Sequence, residues 1–293
     1  LILIDPPRWP AHGTLFSHLV SDSSLDELHA FAARVGVHPR AFDHDHYDVR
    51  AASYGDCLAA GAVAVSGTDL VRRLVASGLR VRSPERAPKR RAVVPGLLAG
   101  WHDLMPGHEA MGRGLVRRWS EAHRHYHDVR HLAWLLAALD EIGTEAAGSR
   151  TVRLAAWFHD AVYEGVPGDE ERSAALALTL LESTVGEADR AEVARLVRLT
   201  TTHDPDPADE AGAALCDADL SILAAPAARY DVYVRDVRAD YEHVADSAWA
   251  VGRTAVLDRL LAKATLFTTP YGRSTWEETA RANLHRERTR WSG

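Results

Sequence analysis

Two cysteines in 293 residues, Cys57 and Cys216, stand far apart and in none of the spacings that zinc ligands or redox pairs use, which argues against a disulfide framework or a thiolate site. Long apolar runs are missing as well. The longest, Leu132 to Leu139, falls far short of the roughly 20 residues that cross a bilayer, and no charged-then-apolar leader opens the sequence. These absences lead us to expect a cytoplasmic protein with no membrane partner. An excess of positive charge is also lacking. The formal net charge of -7 argues against a general affinity for nucleic-acid backbone, although a local patch can differ from the average. No simple repeat is visible.

What is present is an ordinary globular composition, 46% hydrophobic and 26% charged, with enough chain for one large core or two smaller ones. The organisation favours two. Residues 1–82 read as a small α/β domain. In it "LILID" is a short strand stopped by Pro-Pro, and "SDSSLDELHAFAARVG" offers a Ser/Asp cap, then Leu25, Leu28, Phe31 and Ala32 at helical spacing, then Gly36 as terminator. We expect a second strand over 41–49 and helices over 54–60 and 69–77. Residues 83–98 read as a basic, Pro-rich linker, with Pro84, Pro88 and Pro95 set among Arg86, Lys89, Arg90 and Arg91, and Arg82 just before it. From 99 to 293 the period is helical. Leu132, Leu135, Leu136 and Leu139 mark one amphipathic face, Leu154, Trp157, Phe158 and Ala161 a second, Val193, Leu196, Val197 and Thr200 a third, and Leu215, Asp219, Ile222 and Leu223 a fourth. Further helices are expected over 227–245 and from Ser274. The expected fold is therefore multidomain, a small α/β N-terminal domain plus an all-α bundle.

The bundle carries the residues with chemistry. "HRHYHDVRHL", 123–132, holds four of the 16 histidines. On a helix His127 and His131, four apart, share a face, and His131 lies beside the apolar stripe, pointing inward or along a cleft. A lone inward histidine is more often a hydrogen-bonded core residue than a ligand. "WFHDAVYEG" places His159 and Asp160 directly after an apolar segment, near a helix end where a carboxylate and an imidazole could hold a divalent ion. In "LCDADLSIL", Asp219 follows Leu215 by four and precedes Ile222 and Leu223 by three and four, so an ionised group falls on an apolar face. Buried alone it would be strongly destabilising, and a metal or a cationic partner removes that penalty. Asp217 lies about 200° round the same helix and faces another way.

A His on one helix, an adjacent His-Asp pair on the next and a distant Asp inside "DADLSIL" resemble the HD superfamily of metal-dependent phosphohydrolases. "YHDVRH", "FHD" and "ADLS" are similar to its cyclic-nucleotide phosphodiesterase branch. "RHYHDVRHL", "WFHDAVY", "DADLSIL" and a terminal "ARANLHRE" resemble a family described only as predicted HD phosphohydrolases, over nearly all of 107–290. The resemblance implies His131, His159, Asp160 and Asp219 as ligands of one divalent cation, for which Mn, Mg, Co, Fe and Zn all suit. It implies that His127 protonates the leaving oxygen. One ion rather than two is expected, because no histidine falls between Asp160 and His203, the interval from which two-metal relatives draw theirs. Arg124 and Arg130 could receive phosphate oxygens, with a surface ion pair as the alternative for each. Lys263 is a third cation that could reach the cleft. His203 continues the stripe of Val193, Leu196, Val197 and Thr200 and could touch substrate or a second ion. Glu164 could orient the water, although related nucleotidases and alarmone hydrolases place their acid one position earlier, where this chain has Tyr163. The expected partner is a small phosphorylated substrate, a nucleotide above all, and the expected activity is hydrolysis of a phosphate ester. Two other readings are a nucleotide-sensing module without catalysis and, disfavoured by the same histidine gap, a di-iron oxygenase. A homo-oligomer is compatible with the sequence.

"LIDPPRWPAHGTLFSHLVSD" and "AFDHDHYDV" resemble domain of unknown function 4031 over about the first 80 residues, a name that supplies no chemistry. If "FDHDHYDV" is a strand, Asp43, Asp45 and Tyr47 share one face and His44, His46 and Asp48 the other, and either set could hold a metal or a phosphate, with polar strand-end surface as the simpler alternative. Asp5, His12 and His18 follow the first strand, where α/β units often bind ligands.

Overall fold

Alternating apolar residues, broken by Pro, Gly and polar turns, build a sheet in the first part of the chain. In the computed structural model, which describes residues 1–38, 41–82 and 86–291, the chain divides into two units, Leu1–Arg86 and Ala87–Gly293. The first is α/β and the second helical, as the patterning implies. Pro84 of the expected linker lies outside the described residues.

In the first unit, strands β1 (Ile2–Ile4), β2 (Trp9–Ala11), β3 (Thr14–Ser21), β4 (Phe42–Asp43), β5 (His46–Arg50) and β6 (Val63–Ala64) form one sheet of order β4-β5-β3-β1-β6, with β2 also on β3. β1 and β6 are parallel and the other pairs antiparallel. Helix α1 (Leu25–Arg34) starts at Ser24, whose side chain accepts from the Glu27 N–H, and lays Leu28, Phe31 and Ala32 on the face bearing Ile2, Ile4, Leu19, Tyr47 and Val49. After α2 (Tyr54–Ala59), helix α3 (Gly67–Ala76), capped by Ser66, covers Leu3 and Val20 on the opposite face with Leu70 and Leu74. The single strand expected over 41–49 is instead a hairpin. The chain reverses at His44, which takes a left-handed φ of 60°, and the Asp45 N–H bonds back to the Asp43 carbonyl at 2.7 Å. His46 and Asp48 keep a common face on β5, but Asp43, His44 and Asp45 leave the sets that strict alternation assigned them.

The linker expected over 83–98 is also shorter, because helix α4 (Arg90–Leu104) starts within it and continues through Pro95. Burial of Leu97 and Trp101, worth about 1.5–3 kcal/mol for each such side chain, offsets the roughly 3 kcal/mol that an interior proline costs. Helices α5 (Glu109–Trp119), α6 (Val129–Ile142), α7 (Glu145–Gly148), α8 (Arg150–Phe158), α9 (Asp169–Leu180), α10 (Glu187–Leu199) and α11 (Glu210–Leu220) follow. The chain closes with α12 (Ala227–Asp240), α13 (Asp246–Ala262), α14 (Pro270–Thr275) and α15 (Glu277–Arg290). Among the described residues this unit has no strand, and no single helix is long and apolar enough to cross a membrane. α6, α8, α10 and α11 pack on one another around one apolar core. Helices α4 and α5 approach so closely at Gly112 that a Cβ there would collide with the Trp101 indole.

Two boundaries differ from the periodic reading. The helix expected to reach residue 245 stops at Asp240, and Arg238 gathers the carbonyls of Tyr241 and Val244 beyond its end. His127 precedes α6 rather than lying on it, because Asp128 is the N-cap and accepts from the Arg130 N–H at 2.7 Å. The terminal "ARANLHRE" has a structural role: Asn283 on α15 donates to the carbonyls of Leu223 and Ala225 at 2.8 Å each, fixing the turn that follows α11. About one helical turn further along α15, Glu287 is fully buried and pairs with Arg253 at 2.7 Å and with the Tyr230 hydroxyl. Glu287→Ala should leave the Arg253 charge buried without its partner and lower unfolding free energy by about 3–5 kcal/mol. Urea denaturation followed by circular dichroism measures this, and a loss under about 1 kcal/mol would show the pair to be no better than a surface one.

Candidate metal centre

Three helix ends deliver four ligand-type side chains to one point. His131 sits in the first turn of α6, buried against the Trp119 and Tyr126 rings. Trp157 and Phe158 anchor the end of α8 in the core, so the next residue, His159, is carried inward with them. Its Nδ1 donates to the Ala156 carbonyl at 2.9 Å, which turns Nε2 toward His131 Nε2, 3.1 Å away. Asp160 lies 3.2 Å from His159 Nε2 and 3.9 Å from His131 Nε2. Asp219, near the end of α11, brings Oδ1 to 3.0 Å from His131 Nε2 and 3.6 Å from His159 Nε2. Of the four residues expected as ligands, His131, His159 and Asp219 form one close group, and Asp160 borders it beside His159.

The donor set suits a cation. With metal–ligand bonds of about 2.1 Å, neighbouring ligands of one ion stand about 3 Å apart; ligand atoms of His131, His159 and Asp219 lie within 4.8 Å of one another, and Asp160 adjoins that group through His159. Two carboxylates beside two imidazoles also leave the cluster with two surplus negative charges, which a divalent ion balances. Without one, a proton takes its place. Burial alone would lower the His159 pKa, but the Asp160 and Asp219 carboxylates raise it to about 9. Burial lowers the pKa of His131, keeping its ring in the neutral form that ligates. Although burial opposes it, the neighbouring imidazoles hold the carboxyls of Asp160 and Asp219 well below the usual carboxylate range.

The surrounding residues fall into places that the sequence indicated only in part. His203, with a left-handed φ of 50°, contacts Asp219 Oδ2 through Nε2 at 2.7 Å. This orients the carboxylate and leaves Oδ1 turned to the imidazoles. Lys263, expected in the cleft, donates to the His203 carbonyl at 2.6 Å and so holds that backbone. Arg124, expected at the phosphate, is fully buried; it donates to Glu121 and to the carbonyls of His127, Asp160 and Ala161. Its fork is saturated because three irregular-segment carbonyls need donors. Arg130 bridges Asp128 at 2.8 Å and Asp236 at 3.7 Å, the ion-pair alternative. Glu164 is 63% exposed and faces Arg172 at 3.5 Å. The turn after the His-Asp pair carries it outward, away from a water-orienting role. Asp217 is buried and accepts the Thr268 and Thr269 N–H groups, anchoring a loop.

Asp240 was not foreseen. Its carboxylate accepts the backbone N–H groups of His125, Tyr126 and His127, and it meets His127 Nδ1 at 2.7 Å. Tyr163 stacks on the other side of the His127 ring at 4.3 Å. One signal was available: Tyr230, Tyr233, Val237 and Asp240 form a buried stripe on α12, and an acid ending such a stripe needs partners.

A family model described as protein of unknown function (DUF4031) matches residues 2–77. The match lies within the first unit and stops short of the helical one. No curated protein and no solved structure matches the chain. Asp160→Ala should remove the ion from the bundle while helical content stays near that of the parent. Elemental analysis beside far-ultraviolet circular dichroism reads both, and an unchanged ion content would show that these four side chains are not a metal centre.

Proposed function

We propose that the helical unit is an HD-type metal-dependent phosphohydrolase acting on a nucleotide or another small phosphate ester. The observation that carries this reading is the 3.0 Å approach of Asp219 Oδ1 to His131 Nε2, with His159 and Asp160 in the same cluster. A divalent ion held there would supply Lewis-acid polarisation of a phosphoryl oxygen and activation of water at neutral pH. The chain supplies the rest. Asp240 fixes His127 by accepting at Nδ1, so Nε2 is the nitrogen left to deliver a proton to the leaving oxygen. Although burial opposes it, the His127 imidazole first, and then the backbone N–H groups of His125 and His127, lower the Asp240 pKa and keep the carboxyl ionised, and Tyr163 holds the imidazole plane. His203 keeps one oxygen of Asp219 occupied and the other available. With Arg124, Arg130 and Lys263 bound to protein acceptors, the phosphate is met mainly by His127 and the cation rather than by an arginine clamp.

A screen of the protein loaded in turn with Mn, Mg, Co, Fe and Zn against nucleotides and phosphoesters, reading released phosphate, tests the assignment. His127→Ala should retain the ion and lower turnover by about 10²–10⁴-fold, the range of a lost general acid, with Asp240→Asn falling in the same direction. No release with any ion would favour the nucleotide-sensing reading, and full turnover by His127→Ala would remove the proton role.

A further inference from the structure

Strand register places a second group of ligand-type side chains in the first unit. His18 on β3 is directly opposite Asp48 on β5, and His46, two residues from Asp48, shares its face. Leu3 pairs with Val20, so Asp5, two beyond Leu3, projects to the same side. This is the face that α3 covers. Its apolar half lies beneath Leu70 and Leu74, and cover ends at the helix N-terminus, where a Cβ on Gly67 would be 3.6 Å from Asp5 Oδ2. Beyond that edge the face becomes the floor of a cavity of about 1240 Å³.

We propose that His18, His46 and Asp48 hold a divalent cation, and that the cavity above it receives a phosphorylated small molecule. The ligand atoms of the three residues lie within 4.8 Å of one another. Each imidazole is backed by a buried carboxylate: Asp5 Oδ2 is 3.0 Å from His18 Nδ1 and Asp45 Oδ1 is 2.6 Å from His46 Nδ1. Both rings therefore keep Nε2 for the cation, and His46 Nε2 stands 3.6 Å from Asp48 Oδ1. Carboxylates behind ligating histidines fix the tautomer and orient the ring. Asp45 is itself fully buried and secured by the Val81 N–H at 2.7 Å and by Arg80 at 3.2 Å, which is a large commitment of buried polar groups to one histidine.

Three protein ligands leave coordination positions open to the cavity. Arg8, Arg80 and Arg86 line it, as does the start of α3 at Ser66 and Gly67. Arg80 is held by Asp45 at 3.2 Å and Arg86 faces Asp43 at 3.5 Å, so the cation, the Arg8 guanidinium and the start of α3 are the groups that suit a phosphate. The volume is that of a ligand site rather than of an ion with its waters.

The test is Co²⁺ titration of the full chain, followed by visible absorption and elemental analysis, using Asp160→Ala to disable the bundle site. That variant should bind one Co²⁺ per chain. Adding His46→Ala should abolish binding. Asp48→Asn, at a carboxylate 46% exposed and so a mild change, should weaken it with circular dichroism unchanged, and Asp5→Asn should weaken it by about 10–100-fold. Inorganic phosphate should shift the Co²⁺ spectrum, and Arg8→Ala should reduce that shift. If Asp160→Ala binds no Co²⁺, or if His46→Ala and Asp48→Asn leave its binding intact, the site is overturned. A spectrum indifferent to phosphate overturns the ligand. If Asp160→Ala instead keeps two ions and His46→Ala removes one, the bundle assignment fails and this one stands.

Discussion

Two carboxylates held out of water against two imidazoles set the terms for the helical unit. Asp160 and Asp219 cannot both remain ionised in that position without a positive charge between them, since an unpaired buried charge is destabilised by several kcal/mol or neutralises itself. The geometry offers two ways to supply it. A proton on His159 satisfies one negative charge and leaves the other, whereas a divalent cation satisfies both and uses the lone pairs of the rings as well. On the reading proposed above, a cation entering this cluster would displace that proton.

This arrangement depends on irregular backbone being held still. Residues 121–128 and 159–168 are largely turns, so many of their N–H and C=O groups lack helical partners. Two side chains supply several of them, one from within the first segment and one from α12. Arg124 gathers the carbonyls of His127, Asp160 and Ala161, and Asp240 gathers the N–H groups of His125, Tyr126 and His127. One binds acceptors, the other donors, and both fix the segment that presents His127. An arginine next to a phosphohydrolase-like motif invites a role on substrate, but burial and saturation commit this one to the scaffold. The segment that presents His127 is consequently held in place by the protein's own side chains.

The grouping of His131, His159 and Asp219 was legible because these residues sit at the ends of strongly periodic helices. Leu154, Trp157 and Phe158 fix the phase of α8, and His159 follows from it; Leu215 does the same for Asp219 on α11. What escaped the sequence depends on contacts across long separations or on local turns. Asp240 meets His127 from 113 residues away, and no local pattern announces that pairing. His203 breaks from helical geometry into a left-handed conformation, which redirects it from substrate to Asp219. Glu164 fails for a similar reason, since the turn after Asp160 decides its direction and periodicity says nothing about turns. In the sheet, alternation predicted the shared face of His46 and Asp48 correctly, yet the reversal at His44 dissolved the rest of the expected pattern. The proline-rich stretch is shorter as a linker than its composition implies, because composition alone does not show that Leu97 and Trp101 find a core.

The two units gather ligand-type side chains by different means. In the bundle they come from three separate helix ends, and Asp219 is steadied by His203, whose backbone Lys263 holds in turn; such a grouping exists only when the whole core is assembled. In the sheet, adjacent strands provide the imidazoles and Asp48 through register alone, and buried carboxylates on the same scaffold orient them. The stretch matched by the DUF4031 family model, 2–77, contains Asp5, His18, Asp45, His46 and Asp48, while Arg80 and Arg86 fall just after it. The cation-binding half of that constellation therefore belongs to the matched module itself, and two of the three arginines facing the cavity are added by the segment that follows. The proposed ligands thus come from the matched stretch, but Asp45, which orients His46, is secured by Val81 and Arg80 from the segment that follows, so the site draws on both.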